Sequence, residues 1–180
     1  MRDELVCLLS GSIGPKVSIT VKYRYEGRLF WYSTMVTQGM DATIGAAVKQ
    51  LERKARLLVV DDHPVIRRAI CCALQSHPYV EVCGEASDGG QAIEEAKKLK
   101  PDVVVIDVTM PVLNGFEAAR EIKKILPESA IIIFSQNFGP RFVDEAKKVG
   151  ARAYVAKKKA EVLVSAVEAV IRNEDFFVAE

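Results

Sequence analysis

The chain lacks most of the features by which a sequence announces a membrane, export or nucleic-acid role. Its longest apolar run near the start, Leu5 to Leu9, falls far below the roughly 20 residues that a membrane-spanning helix needs. That run follows acidic residues where a secretory leader carries basic ones. Net charge is almost absent: a formal +1 over 180 residues leaves no strong field to draw the whole chain to nucleic acid or an anionic membrane. Cysteine is scarce and unpatterned. Cys7, Cys71, Cys72 and Cys83 show no metal-ligand spacing and two are adjacent, so a disulfide framework is not indicated and reduced thiols in a cytoplasmic protein are expected. Length excludes something too, since 180 residues hold one domain of about 100–150 residues and an appendage, not two full domains.

What is present is the balance of an ordinary globular protein, with 49% apolar and 27% charged residues, enough for a sizeable core. The first 55 residues are mildly basic and the remainder mildly acidic.

From Arg56 onward, short β-branched runs alternate with longer amphipathic stretches, the pattern of βα units around a parallel sheet. Leu57–Val60, Val103–Ile106 and Ile131–Phe134 are apolar without alternation, as strands covered on both faces are. Val80–Ala86 and Ala153–Ala156 complete a set of five. The intervening helices should stop before Pro78, Pro101 and Pro127, because a residue preceding proline avoids the α region. The fourth helix, Pro140–Val149, should end at Gly150 in a left-handed cap. A fifth helix fits Ala160–Arg172, where Val162, Leu163, Ala166, Val167, Val170 and Ile171 form an apolar stripe. Lysine pairs near three helix ends complement the helix dipole and read as solvated charge.

The expected fold over residues 56–180 is therefore α/β, a doubly wound five-stranded parallel sheet of flavodoxin-like (βα)5 topology. Residues 1–55 form a separate extension. Val17–Tyr25 alternates apolar and polar residues, Glu26-Gly27 can turn the chain and Leu29–Thr34 can return, which predicts a β-hairpin. Asp41 then caps a short helix on which Ile44, Val48 and Leu51 share a face. No chemistry is visible in the extension. Packing on the domain, self-association and a loose tail all stay open.

In an open parallel sheet the ligand site lies beyond the carboxyl ends of the strands, where the strand order reverses. Those ends read Val60-Asp61-Asp62 and Ile106-Asp107, so three carboxylates converge on one pocket. Each could merely cap the helix that follows, but three such ends together favour a shared site. A hard dication relieves the repulsion among them, and Mg2+, which takes oxygen ligands and keeps several waters, suits the pocket better than zinc or calcium. Ser135 ends the fourth strand and Lys157 follows the fifth. A hydroxyl, an ammonium and a metal are what a phosphoryl group on Asp107 requires.

These residues carry a resemblance. Val59-Val60-Asp61-Asp62-His63-Pro64, then Val105-Ile106-Asp107-Val108-Thr109-Met110-Pro111 with Asn114-Gly115, then Ser135, and finally Gly150 to Lys157 make residues 56–173 similar to a bacterial two-component response-regulator receiver domain. The type is the CheY-like receiver that precedes LuxR-like DNA-binding helices. The resemblance implies that Asp107 accepts a phosphoryl group from a phosphohistidine on a sensor kinase or phosphotransfer protein. It implies that Asp61, Asp62, Asp107 and the backbone carbonyl of Thr109 serve Mg2+, Asp61 through water. It also implies that Ser135 and Lys157 hold the phosphate, and that Tyr154 is a switch aromatic following Ser135. The chain would then be a phosphoacceptor promoting its own transfer, not an enzyme with turnover.

Two departures stand out. Gln136 replaces a small residue after the hydroxyl position, and Lys158 stands where many relatives have proline. His63 reads as a helix-start residue and His77 as a helix-end residue. Because no DNA-binding helices follow the fifth helix, the expectation is a stand-alone receiver that signals through a downstream protein, with a homodimer open and neither DNA nor membrane contact. The competing expectation is a pseudo-receiver working as a phosphorylation-independent interaction or dimerisation module. A magnesium-dependent phosphatase is disfavoured, because no second acid follows Asp107 at short spacing.

Overall fold

A computed structural model describes residues 5–12, 16–25 and 28–37 as strands and residues 54–177 with their side chains. Contacts divide the chain into two units, Met1–Arg53 and Lys54–Glu180. The first unit contains a three-stranded antiparallel sheet of β1 (Leu5–Ser12), β2 (Lys16–Tyr25) and β3 (Arg28–Thr37), in that order. Strands β2 and β3 are the expected hairpin, with Tyr25 paired to Arg28. Strand β1 was not expected. The apolar run at Leu5 that is too short for a bilayer is part of a strand instead, paired to β2 from Leu5↔Tyr23 onward. The Glu26-Gly27 turn and the helix expected after Asp41 lie outside the described residues.

The second unit alternates strand and helix: β4 (Ala55–Val60), α1 (Pro64–Gln75), β5 (Val80–Ala86), α2 (Gly89–Leu99), β6 (Val103–Ile106) and α3 (Gly115–Ile125). It continues with β7 (Ala130–Ser135), α4 (Pro140–Lys148), β8 (Ala153–Ala156), a 3-10 segment (Lys157–Val162), α5 (Leu163–Ile171) and β9 (Phe176–Phe177). The sheet is parallel with order β5-β4-β6-β7-β8-β9. The five expected strands thus stand in flavodoxin-like order, with a sixth, short strand added at the β8 edge.

Alternation through the thickness of the sheet explains why the central strands are apolar throughout. Ile131 and Ile133 face a core with Ala92 and Ala96 of α2, Ala118 and Ile122 of α3, and Ala146 of α4. Ile132 faces the opposite core with Ile70 and Leu74 of α1 and with Leu163, Val167 and Val170 of α5. All three isoleucines are fully buried, and each such side chain contributes about 1.5–3 kcal/mol of transfer free energy. A polar residue anywhere in this run would face a core.

Helices α1, α2 and α3 end at Gln75, Leu99 and Ile125, short of the three prolines. Helix α4 ends at Lys148, and Gly150 takes φ +78° while its N–H is donated to the Lys147 carbonyl. That left-handed step frees the chain to enter β8.

The fifth helix departs from expectation. Instead of a helix from Ala160, residues Lys157–Val162 form a 3-10 segment broken at Lys159 (φ −119°, ψ 42°), and the α-helix starts at Leu163. No side chain caps either segment, so nothing fixes a helix start in the lysine run.

Strand β9 is held from the side. The Phe176 N–H is donated to the Arg152 carbonyl at 2.8 Å. The Arg152 guanidinium reaches Asp175 Oδ1 at 2.7 Å, the Asn173 carbonyl at 2.6 Å and the Asn173 side chain.

Candidate functional site

The strand order reverses at β4, which has β5 on one side and β6 on the other. Val60 is in register with Ile106, so Asp61 and Asp107 leave the sheet side by side. The Asp107 N–H is donated to the Val60 carbonyl at 2.9 Å, and the Asp61 N–H to the Ala86 carbonyl at 3.1 Å. One oxygen from each of Asp61, Asp62 and Asp107 lies within 4.8 Å of the others. Asp61 and Asp107 are buried and Asp62 is exposed.

Such a group needs compensation, and the structure supplies it locally. Asp61 Oδ1 accepts the His63 N–H at 2.9 Å, and Asp107 Oδ1 accepts the Val108 N–H at 2.7 Å. The remaining oxygens meet one cation: Lys157 Nζ stands 2.7 Å from Asp61 Oδ2 and 2.8 Å from Asp107 Oδ2. Burial pushes the Asp107 carboxyl above its ordinary value, with nearby Asp61 adding to the rise, while the bond and charge of Lys157 pull part of it back. Burial alone would lower Lys157, but its bonds to Asp107 and Asp61 outweigh that and hold the ammonium above its usual value. The lysine therefore stays charged where two buried acids share it.

The loop after Asp107 is anchored at its far end. Asn114 and Glu117 form a capping box at the start of α3, each side chain bonding the other's backbone N–H. The Gly115 N–H is donated to the Val108 carbonyl at 2.9 Å, and a Cβ at Gly115 would lie 1.9 Å from the Asp107 carbonyl oxygen. Only glycine fits there. Between the anchors, Val112 is 92% exposed with φ +67°, and the Leu113 N–H spans it to the Pro111 carbonyl at 2.8 Å. A β-branched residue in this region is strained.

Above these acids lies a cavity of about 410 Å³ whose walls include Asp62, His63, Asp107, Thr109, Gln136 and Lys157. Ser135 and Tyr154 are fully buried and are not among its lining residues. Ser135 Oγ accepts the Asn137 N–H at 3.3 Å, and the Tyr154 hydroxyl donates to the Asn137 carbonyl. Burial pushes the Tyr154 phenol up, which keeps it a donor. Asn137 also donates from Nδ2 to Thr109 Oγ1 at 3.2 Å. It thus links three of the expected site residues, although sequence reading passed over it: an asparagine after a strand carries no signal until its partners are known.

His63 stands at the N-cap of α1 but makes no side-chain cap bond, Pro64 filling the first turn. His77 meets Glu168 of α5 at 2.9 Å. Among the described residues there is no cis peptide, so the bond at Lys158 is trans.

The donors around the cavity are hard oxygens, and the ammonium already wedged between two of the acids shows that the pocket demands positive charge. Both facts fit a hard dication such as Mg2+.

Comparison with known proteins agrees with this fold. The family model described as response regulator receiver domain matches residues 57–168. The chain is 42% identical over 102 residues to the chemotaxis protein CheY of Thermotoga maritima, covering 57% of this chain and 84% of that protein. It is 41% identical over 110 residues to a protein-glutamate methylesterase/protein-glutamine glutaminase of Alkalilimnicola ehrlichii, covering 61% of this chain but only 28% of that longer protein. Among solved structures, a LuxR-family two-component response regulator from Aurantimonas sp. superposes with TM-score 0.66 at 35% identity, over 68% of this chain and 89% of that one.

Proposed function

Because the chain belongs to the response regulator receiver domain family, we propose that Asp107 is its phosphoacceptor and that the cavity above it receives a phosphoryl group from a phosphohistidine of a sensor kinase or phosphotransfer protein. One observation carries the proposal: acids from two strands meet in one pocket, and a single half-buried ammonium lies within 2.8 Å of two of them.

In the transfer, an Asp107 carboxylate oxygen forms the new bond to phosphorus as the bond to the imidazole nitrogen breaks, and the imidazole keeps the electron pair. The protein's part is positioning and charge. Asp61, Asp62, Asp107 and the Thr109 carbonyl are the groups that would hold Mg2+, which would supply charge neutralisation for the phosphoryl oxygens. Lys157 is placed to pair with a phosphoryl oxygen once Asp107 is esterified and its carboxylate charge is gone. Ser135 accepts from Asn137 and lies against the Tyr154 hydroxyl, and its hydroxyl would turn to donate to a phosphoryl oxygen. Repositioning Ser135 for that bond would disturb Asn137 and hence Tyr154, the two-state element through which the site reports outward.

Residues 56–180 act in this proposal as the receiver and residues 1–55 as an extension. Output runs through protein contacts, as a stand-alone receiver would signal. The extent of the match to CheY supports that reading, while the methylesterase shows the same domain type within a longer protein. The described helices include none long and apolar enough to cross a membrane.

A second reading, a phosphorylation-independent interaction module, is favoured by one feature: Lys157 already pairs with Asp61 and Asp107, so the two buried acids are held without a metal or a phosphate. Intact mass after incubation with acetyl phosphate and MgCl2 separates the two. The proposal expects an adduct of about 80 Da, one phosphoryl group, that is absent from Asp107→Asn. No adduct, or one that survives the substitution, overturns it.

A further inference from the structure

Arg67, which closes the first turn of α1, is not among the residues lining the cavity, yet it holds the loop that carries two of the acids. Its Nη1 donates to the Asp61 carbonyl at 2.7 Å, and its Nε donates to Glu85 Oε2 on β5 at 3.1 Å. Its backbone N–H is donated to the His63 carbonyl at 2.9 Å. One residue therefore binds both ends of the segment Asp61-Asp62-His63 and clips it to the neighbouring strand. The Arg67 side chain is itself 20% exposed and its bond to the Asp61 carbonyl is partly buried, while the Glu85 side chain is 43% exposed.

From this geometry we infer that Arg67 is a positioning residue for the metal-binding acids: it sets the orientation of the Asp61–Asp62 peptide and so the placing of both carboxylates. The inference rests on the proposed Mg2+ site. Asp61 is fully buried, and its carbonyl, at the mouth of a strand and before the first helical turn, has no regular secondary-structure partner. A guanidinium can satisfy that carbonyl and a carboxylate together because its donors form a rigid fork. An ammonium is a point donor and cannot reproduce the fork. Glu85 aims the fork and offsets its charge, so the guanidinium can stand near a cation site with reduced repulsion.

Charge and positioning predict opposite signs. If Arg67 acted only as a nearby positive charge, removing it would tighten binding of a dication, and lysine in its place would change nothing. If it positions the loop, both lysine and an uncharged residue weaken binding.

The test uses the full chain, with Mn2+ as the paramagnetic stand-in whose free fraction is counted by EPR. Arg67→Lys and Arg67→Met should each weaken Mn2+ binding by about 10-fold, the lower end for residues that orient metal ligands. Methionine keeps the apolar stem, and circular dichroism confirms the fold of each variant. Arg68→Ala, which removes the same charge from an exposed neighbour on the same helix, should leave binding within two-fold, about the limit set by a screened surface charge. Raising MgCl2 to saturation should restore the labelling rate of Arg67→Lys with acetyl phosphate, since only occupancy was lost. Tighter binding in Arg67→Met, or unchanged binding in Arg67→Lys, overturns the positioning role while leaving the metal site standing. Failure of the unsubstituted chain to bind Mn2+ overturns both.

Discussion

Replacing Lys157 with methionine isolates the ammonium that two buried acids share. At 2.7 and 2.8 Å, each attraction is about 6 kcal/mol for an effective dielectric constant near 20. The desolvation of the lysine, itself several kcal/mol, offsets much of this. Breaking a buried pair by removing one partner typically costs about 3–5 kcal/mol, and the open cavity beside Asp62 admits water, which favours the lower end. We therefore expect Lys157→Met to lose about 3 kcal/mol in chelator at neutral pH, lowering the urea midpoint by about 2 M for a slope near 1.5 kcal/mol/M. Far-UV circular dichroism is the suitable probe, since the described helices all lie between Pro64 and Ile171.

Two controls follow from the same physics. Excess MgCl2 should return at least half of the deficit, because a dication replaces the lost charge. Acidification should also shrink it. The bond and charge of Lys157 hold the Asp107 carboxyl down against burial, so without them the group moves further up, takes a proton sooner as pH falls, and sheds the uncompensated charge. A deficit under about 1 kcal/mol, the size of an exposed surface pair, would refute the reasoning, as would one insensitive to MgCl2 or one that grows with acid.

Gly115→Ala should cost about 3 kcal/mol or more, because its methyl would meet the Asp107 carbonyl oxygen at 1.9 Å and backbone must move; labelling by acetyl phosphate should fall with stability, and a neutral thermal melt would refute this. Val112→Gly should instead stabilise by about 0.5–1 kcal/mol, since it relieves φ +67° at a 92% exposed position, partly offset by the entropy of glycine; an unchanged or lower melting temperature counts against it. Iodoacetamide at mildly alkaline pH should mark exposed Cys72 well before Cys71, whose thiol is pushed up to about 11 by burial and by Glu85; comparable rates on the sequenced peptide would show that Cys71 is not sheltered.

The strands of the second unit were legible because their burial is written into composition. Val103–Ile106 and Ala153–Ala156 have no polar side because both faces meet helices, and their bounds are those expected. Strand β9 was illegible because two phenylalanines make no period. What makes them a strand is Arg152, more than twenty residues earlier, whose guanidinium folds the Asn173–Asp175 turn back along β8. The start of α5 was misplaced for a related reason: periodicity reports which residues face the core, not where an uncapped helix begins. At the site, Asp61, Asp62, Asp107 and Lys157 could be placed from strand ends alone, since topology brings those ends together. Arg67 could not, because its partner is a backbone carbonyl and any residue at position 61 would present one.

Strand β9 also decides how the parallel sheet ends. Without it, Ala153 and Tyr154 would turn unsatisfied amides and carbonyls outward at an apolar border, the kind of hem onto which another molecule can stitch itself. Phe176 and Phe177 close that hem with two residues and a guanidinium rivet. Shortening the chain to Ile171 should therefore leave folded but sticky material whose aggregation rises with concentration.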